Sequence, residues 1–268
     1  MNVGEDRIYW FWKHGKSHCA GFIKNNHHQL WATAPSLSIG INEYGIHTHH
    51  DNAAIIPRVD ILILAVKPAQ MPVVFAQIKH AIPAHCLIIS VAAGISLSWF
   101  ARQINKPLAI VRAMPNMAAA VGKAATPMIA NEFVSAEQAA WTETIFSSIG
   151  LSTWILNEQQ IDSFTALSGS GPAYVFLFME AMIKAATALG LEEDIAKIFT
   201  LQTFEGALSL ASENQMHLAA LRQQVTSPAG TTAAAIEVFS KQGLDKLVLS
   251  AMNAAFERAR ELQTINHT

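Results

Sequence analysis

The feature that most constrains this chain is a series of short apolar runs without alternation. Leu30–Thr33, Asp60–Val66, Cys86–Val91 and Leu108–Val111 place Ile, Val and Leu on consecutive positions. A strand with one wet face alternates apolar and polar residues, so an unbroken run marks a strand covered on both sides, as in a parallel sheet. Helix signals lie between the runs. Ala69–His80 follows Pro68, and Leu97–Gln103 follows Ser96, a good N-cap. Ser135 with Gln138 three residues on has capping-box spacing, and the helix it opens is expected to end at Gly150. A short strand, Ser152–Leu156, then closes the first domain. Strands spaced by helices predict a doubly wound α/β sheet.

From about Ile161 the period becomes helical. Gly169-Ser170-Gly171-Pro172 opens a helix with Pro172 at its first position, running through Tyr174, Phe178, Met182 and Ala186 to Gly190. Helices over about 192–212 and 244–262 follow. The chain therefore divides into a sheet domain over 1–157 and an all-α domain over 158–268. Hydrophobic residues are 51% of the chain and charged residues 14%, rich in apolar surface for a monomer. A large subunit interface accounts for that surplus, with helices interleaved with another subunit. The apolar runs fall short of the roughly 18 residues a membrane span requires, and the first twenty residues carry no signal-peptide pattern. Cys19 and Cys86 cannot form a disulfide framework, so a cytoplasmic protein is expected, with no membrane partner. A net charge of −2 offers no footprint for nucleic acid.

In doubly wound sheets ligands bind outside the carboxyl ends of the strands. Ala65-Val66-Lys67-Pro68 and Arg112-Ala113-Met114-Pro115-Asn116 sit at that edge. Lys67 is either a solvated lysine at a turn or a hydrogen-bond donor to a nicotinamide ribose or a substrate carboxylate. Asn52 is either the N-cap of the apolar stretch after it or a contact to cofactor phosphate or ribose. His27, His28, His47, His49 and His50 lie in polar, turn-like stretches without convergent Cys or carboxylate partners, so no metal site is expected. In the helical half, Val225-Thr226-Ser227-Pro228-Ala229-Gly230-Thr231-Thr232 precedes a helix over Ala233–Ser240. Small residues admit a close ligand, and free N–H groups at a helix start attract an anion such as a carboxylate. The alternative is an ordinary N-cap with a tight turn.

Four segments taken in order resemble the pyrroline-5-carboxylate reductases. They are Ala65–Pro68, Arg112–Asn116, Thr165-Ala166-Leu167-Ser168-Gly169-Ser170-Gly171-Pro172-Ala173-Tyr174, and Thr226–Thr232, and the likeness runs from about residue 51 to 262. The resemblance implies a Rossmann-type domain followed by an all-α dimerisation domain, with dimers that often assemble into decamers. It implies reduction of L-1-pyrroline-5-carboxylate to L-proline, the final step of proline biosynthesis, using NADPH or NADH. Asn52 and Ala65, Val66, Lys67 and Pro68 would touch the dinucleotide. The amides of Thr231 and Thr232, after Gly230, would hold the substrate carboxylate, with the Thr232 hydroxyl near the ring nitrogen as the catalytic contact. Ser168, Gly169, Ser170 and Gly171 would line the same pocket. Such chemistry needs positioning more than an elaborate base. A dehydrogenase of 3-hydroxy acids shares the plan, but the Ser168–Tyr174 and Thr226–Thr232 loops argue against it.

Three departures stand out. Ala229 replaces the family's usual second glycine, which is tolerated if φ stays negative there. No Asp or Glu follows the second strand at Ala32-Thr33-Ala34-Pro35-Ser36, where an acid would select NADH; Ser36 is placed to meet the 2′-phosphate of NADPH. The largest departure is at the start, where the family has a strand and the loop Gly-x-Gly-Asn-Met. Here Tyr9-Trp10-Phe11-Trp12-Lys13-His14-Gly15 puts Trp10 and Trp12 at the two glycines and interrupts the strand-to-helix pattern. Tryptophan has the single codon TGG, so a reading displaced by one base turns both into glycine. Over 6–19 the displaced frame allows Ile-Gly-Phe-Ile-Gly-Phe-Gly-Asn-Met-Ala-Lys-Ala-Ile, a family-like nucleotide loop. Compensating frame shifts explain this. A catalytically silent family member is the competing reading.

Overall fold

The computed structural model describes residues 7–12, 29–34 and 37–265, with the side chains of 7–12, 29, 264 and 265 left aside. Among the described residues nine strands form one sheet in the order β3-β4-β2-β1-β5-β6-β7-β8-β9. These are β1 (Arg7–Trp12), β2 (Gln29–Thr33), β3 (Gly40–Ile41), β4 (His47–His49), β5 (Ile61–Ala65), β6 (Leu87–Ser90), β7 (Ala109–Ala113), β8 (Ala124–Ala130) and β9 (Gly150–Trp154). Neighbours are parallel except β3 with β4 and β7 with β8.

The apolar runs do what their lack of alternation predicts. Successive side chains of a strand point to opposite faces, so a run must be covered twice. On one face Leu62, Leu64, Ile88 and Ile110 pack with Met71, Phe75 and Ile78 of α1 (Met71–Ile78) and Trp99 and Phe100 of α2 (Leu97–Gln103). On the other, Ile61, Ile63, Leu87, Ile89, Ala109 and Val111 pack with Ile145 and Phe146 of α3 (Ala136–Ser147). Full burial of each such side chain contributes about 1.5–3 kcal/mol. Cys86 lies in the first of these cores, and burial pushes its thiol up to about 12, so it is inert at neutral pH.

The helix starts follow the sequence. The Ser96 hydroxyl accepts from the Trp99 amide, and Ser135 and Gln138 form a reciprocal capping box. Several expectations need correction. The helix after Pro68 opens with a 3₁₀ turn, Pro68–Gln70, before α1 begins. Gly150 does not end α3, whose C-cap is Ser148; it begins β9 at φ 148°, where a Cβ would lie 2.2 Å from the Ala124 carbonyl oxygen. Of the segment Tyr9–Gly15, expected to break the strand-to-helix pattern, Tyr9–Trp12 instead belongs to an inner strand, fourth in the sheet order. Its pairs include Phe11 with Thr33 and Trp12 with Ala65. The ladder is made by backbone groups, and Ile, Tyr, Trp and Phe are all good strand formers.

The chain forms two compact units, 1–170 with 255–268, and 171–254. The first contains the sheet, α4 (Gln160–Phe164) and a π-turn at Thr165–Gly169. The second contains α5 (Gly171–Ala188), α6 (Glu193–Glu213), α7 (Leu218–Gln224), α8 (Thr231–Lys241) and the start of α9 (Leu244–Ile265). Phe178 of α5 packs against Phe204 of α6 and Phe239 of α8, with ring centroids 6.2 and 6.1 Å apart. In this unit only Ala196 and Thr200 are buried, while Phe176, Leu177, Phe199, Leu208 and Leu247 are open. Gln160–Ala188 is long and apolar enough to cross a membrane by length and composition, although the sequence reading found only shorter runs. Glu180 and Lys184 interrupt it, so no single long apolar run reveals it.

Candidate functional site

The strand order reverses at β1, with β2 on one side and β5 on the other. This is the switch point where doubly wound sheets bind ligands, beyond the strands' carboxyl ends. Thr33 ends β2 there, and its buried hydroxyl donates to Asn52 Oδ1 at 2.6 Å. Asn52 is therefore not a side-chain N-cap. Its backbone carbonyl accepts from Ile55 and Ile56 in a tight turn, and Asp51 Oδ1 accepts from the Ala53 amide. With Oδ1 occupied, Nδ2 of Asn52 remains to donate, which suits a ribose hydroxyl or a phosphate oxygen. Ala65 ends β5, Val66 is buried, and Lys67 is exposed at the start of the 3₁₀ turn begun by Pro68. A cation and an amide donor beside a switch point fit a nicotinamide dinucleotide. Ser36 and residues 13–28, which include the segment after Trp12 where the family's glycine loop is expected, lie outside the described residues, as do His27 and His28.

The Arg112–Asn116 segment has a role that sequence reasoning missed. Arg112, at 2% exposure, pairs with Glu158 Oε1 at 2.7 Å, and the same oxygen accepts from the Leu97 amide at the start of α2. Asn116 Oδ1 accepts from the Ala118 amide, while its Nδ2 donates to the Ser168 carbonyl at 2.9 Å. Arginine in an otherwise apolar run was the signal for the ion pair, but its partner stands 46 residues away. Ser168 lies in the π-turn, and its hydroxyl donates to the Phe164 carbonyl. Ser170 donates its amide to Thr165, closing the wide turn, and Gly169 comes near Met114. Behind it Asp162 is buried and accepts from Gln263 at 2.6 Å; burial pushes its carboxyl above the ordinary Asp range, partly offset by Arg112.

In the helical unit, Gly230 is the N-cap of α8 and supplies no side-chain cap. The first intrahelical bond runs from the Ala234 amide to the Gly230 carbonyl, so the Thr231 and Thr232 amides precede the ladder. A turn bond from the Gly230 amide to Ser227 folds the loop tightly, and a Cβ on Gly230 would lie 3.1 Å from the Ser227 carbonyl oxygen. Ala229 does not keep φ negative, as the sequence reading required for an alanine there. It sits at φ 57°, alone among the described non-glycine residues in being positive. The helix also begins at Thr231, two residues before the expected Ala233.

The described histidines do not converge on a metal. His47 stacks on Trp31 with ring centroids 4.6 Å apart, and His49 stacks on His50. No group of three or more His, Cys, Asp or Glu suited to a metal occurs among the described residues.

Comparisons with known proteins match this geometry. Residues 158–262 match the family described as pyrroline-5-carboxylate reductase dimerisation, and residues 13–94 match NADP oxidoreductase, coenzyme F420-dependent. The pyrroline-5-carboxylate reductase of Pseudomonas aeruginosa is 41% identical over 220 residues, 82% of this chain and 81% of the relative. The chain belongs to the pyrroline-5-carboxylate reductase family. The reductase of Vibrio alginolyticus is 33% identical over 252 residues, covering 92% of this chain and 93% of that one. Among solved structures, the Coxiella burnetii pyrroline-5-carboxylate reductase superposes with a TM-score of 0.87 at 37% identity, over 97% of this chain and 99% of that chain. The Plasmodium falciparum pyrroline carboxylate reductase with NADP bound gives a TM-score of 0.87 at 26% identity, over 97% and 98%. A pyrroline-5-carboxylate reductase of this kind is a Rossmann-type α/β oxidoreductase with a helical dimerisation domain, and the 158–262 match begins where the periodicity of the sequence changes.

Proposed function

We propose that this chain reduces L-1-pyrroline-5-carboxylate to L-proline with NADPH, the last step of proline biosynthesis, as a cytoplasmic homodimer that builds decamers. The observation that carries the reading is the uncapped start of α8 behind Gly230, a seat for a carboxylate in a chain of this family. The Thr231 and Thr232 amides hold that carboxylate, helped by the positive end of the helix. The Thr232 hydroxyl stands by the ring nitrogen. Ser168, Gly169, Ser170 and Gly171 complete the substrate contacts. A cyclic imine takes a proton readily, and the resulting iminium carbon needs only a hydride, which the nicotinamide supplies when bound. The nitrogen keeps its proton and becomes the amine of proline. The residues of this chain therefore orient the ring and exclude water, and no general base of raised pKa is required.

Asn52 and Ala65–Pro68 hold the dinucleotide, with Ser36 at the 2′-phosphate. The lack of an acid after β2 favours NADPH over NADH. Trp10 and Trp12, which replace the two glycines of the phosphate loop, raise one competing reading that the comparisons do not favour: the chain is a folded but silent member of the family. One assay separates the two. The chain as written and a variant carrying the frame-restored loop are purified, and NADPH oxidation is followed with pyrroline-5-carboxylate. Turnover by the written chain supports the first reading, and turnover by the restored chain alone supports the second. Failure of both refutes the substrate. In whichever form turns over, Thr232→Ala should lower kcat about 10- to 100-fold, the worth of a hydrogen bond to a charged centre, with little change in NADPH affinity. Equal loss of both would contradict the role given to Thr232.

A further inference from the structure

Asn116 uses both ends of its side chain in opposite directions. Oδ1 accepts from the Ala118 amide at 3.2 Å and caps the 3₁₀ turn Met117–Val121, while Nδ2 donates to the Ser168 carbonyl at 2.9 Å, 52 residues along the chain. Capping alone does not require asparagine, since serine or aspartate at this position would accept from the same amide. The bond to Ser168 does require a donor at that reach.

The need for it is written in the sequence. If α-helical geometry ran through this point, the Ser168 carbonyl would accept from the N–H of residue 172, which is Pro172 and has none. Proline thus removes the α-helical donor for this carbonyl at the point where the chain passes from the π-turn towards α5. A carbonyl kept from water without a donor costs about 1–3 kcal/mol, and π-turns persist where surrounding contacts hold them. Asn116 supplies the donor. The same five-residue stretch fixes the other end of the segment through Arg112 and Glu158, so 158–168 hangs at both ends from the carboxyl edge of β7.

We propose that Asn116 is a positioning residue for the substrate: its carboxamide fixes the π-turn that presents Ser168, Gly169 and Ser170, and thereby sets the KM for the imino acid. The proposal rests on the reading of these residues as substrate contacts. Two variants separate the clamp from the cap. Asn116→Ser and Asn116→Asp both keep an acceptor for the Ala118 amide; the carboxylate has no donor for Ser168, and the serine hydroxyl, one bond shorter, loses the reach of Nδ2. In each, amide exchange over 164–170 should accelerate about tenfold while exchange over 117–121 stays as in the parent chain. The KM for pyrroline-5-carboxylate should rise about three- to tenfold with the KM for NADPH unmoved. Kinetics are measured in the form that turns over, written or frame-restored. Unchanged exchange over 164–170, exchange raised equally in both segments, or KM values that stay fixed or rise together would overturn the role of Asn116. Absence of turnover in both parent forms would instead refute the functional reading, and would be seen before any variant is made.

Discussion

Ala229 is held at φ 57° in the loop that leads into α8. An L-residue with a Cβ pays about 1–2 kcal/mol for that conformation, and glycine does not. Part of the relief is cancelled because glycine loosens the unfolded chain. Ala229→Gly should therefore raise stability by up to about 1 kcal/mol, read from denaturant midpoints at constant slope. A loss of stability would show that the left-handed conformation is not adopted. Asp162 makes a second prediction, in pH. Its carboxyl is pushed up by burial, so the neutral form suits the fold; that contribution is present below the ordinary Asp range and is lost as pH rises through the raised value. Asp162→Asn keeps an acceptor for Gln263 and removes the charge. The variant should melt above the wild type at pH 7, with the gap closing as pH falls towards 4. A wild type that melts higher at pH 7 would mean that the attraction of Arg112 outweighs burial.

At the scale of elements, the sequence was most legible where burial on both sides left its mark. β2, β5, β6 and β7 were read from apolar runs, and α2 and α3 from their caps. β8 was missed because Pro127 sits inside Ala124–Ala130, and proline argues against a strand interior. β3 and β4 are two and three residues long, too short for any period to register. β1 was doubted because Trp10 and Trp12 displace glycines, yet a strand can lose its loop chemistry and keep its ladder. Of the candidate site, local features were legible, as at Thr226–Thr232, where a tight loop leads into a helix start. Thr33 with Asn52, Arg112 with Glu158 and Asn116 with Ser168 were not, since each joins residues 19 to 52 positions apart. Nothing in local periodicity encodes such partners.

At the scale of the whole molecule, the helical unit decides how the chain can exist. Apolar side chains such as Phe176, Leu177, Phe199 and Leu208 lie open on its helices, inside the stretch that matches the dimerisation family. Burying them requires another copy, at the 2,000 Å² or more typical of obligate interfaces. Light scattering should find a mass of at least twice 29.1 kDa, and Leu208→Glu should reduce it or cost solubility. A well-behaved monomer of wild type would sink this. Since Ala196 and Thr200 are all that the 171–254 unit buries alone, that unit has little to hold it together in a lone subunit. Unfolding of that unit is then also dissociation, and mass action enters its melting curve. The Tm of such a unit has no single value: it climbs with concentration.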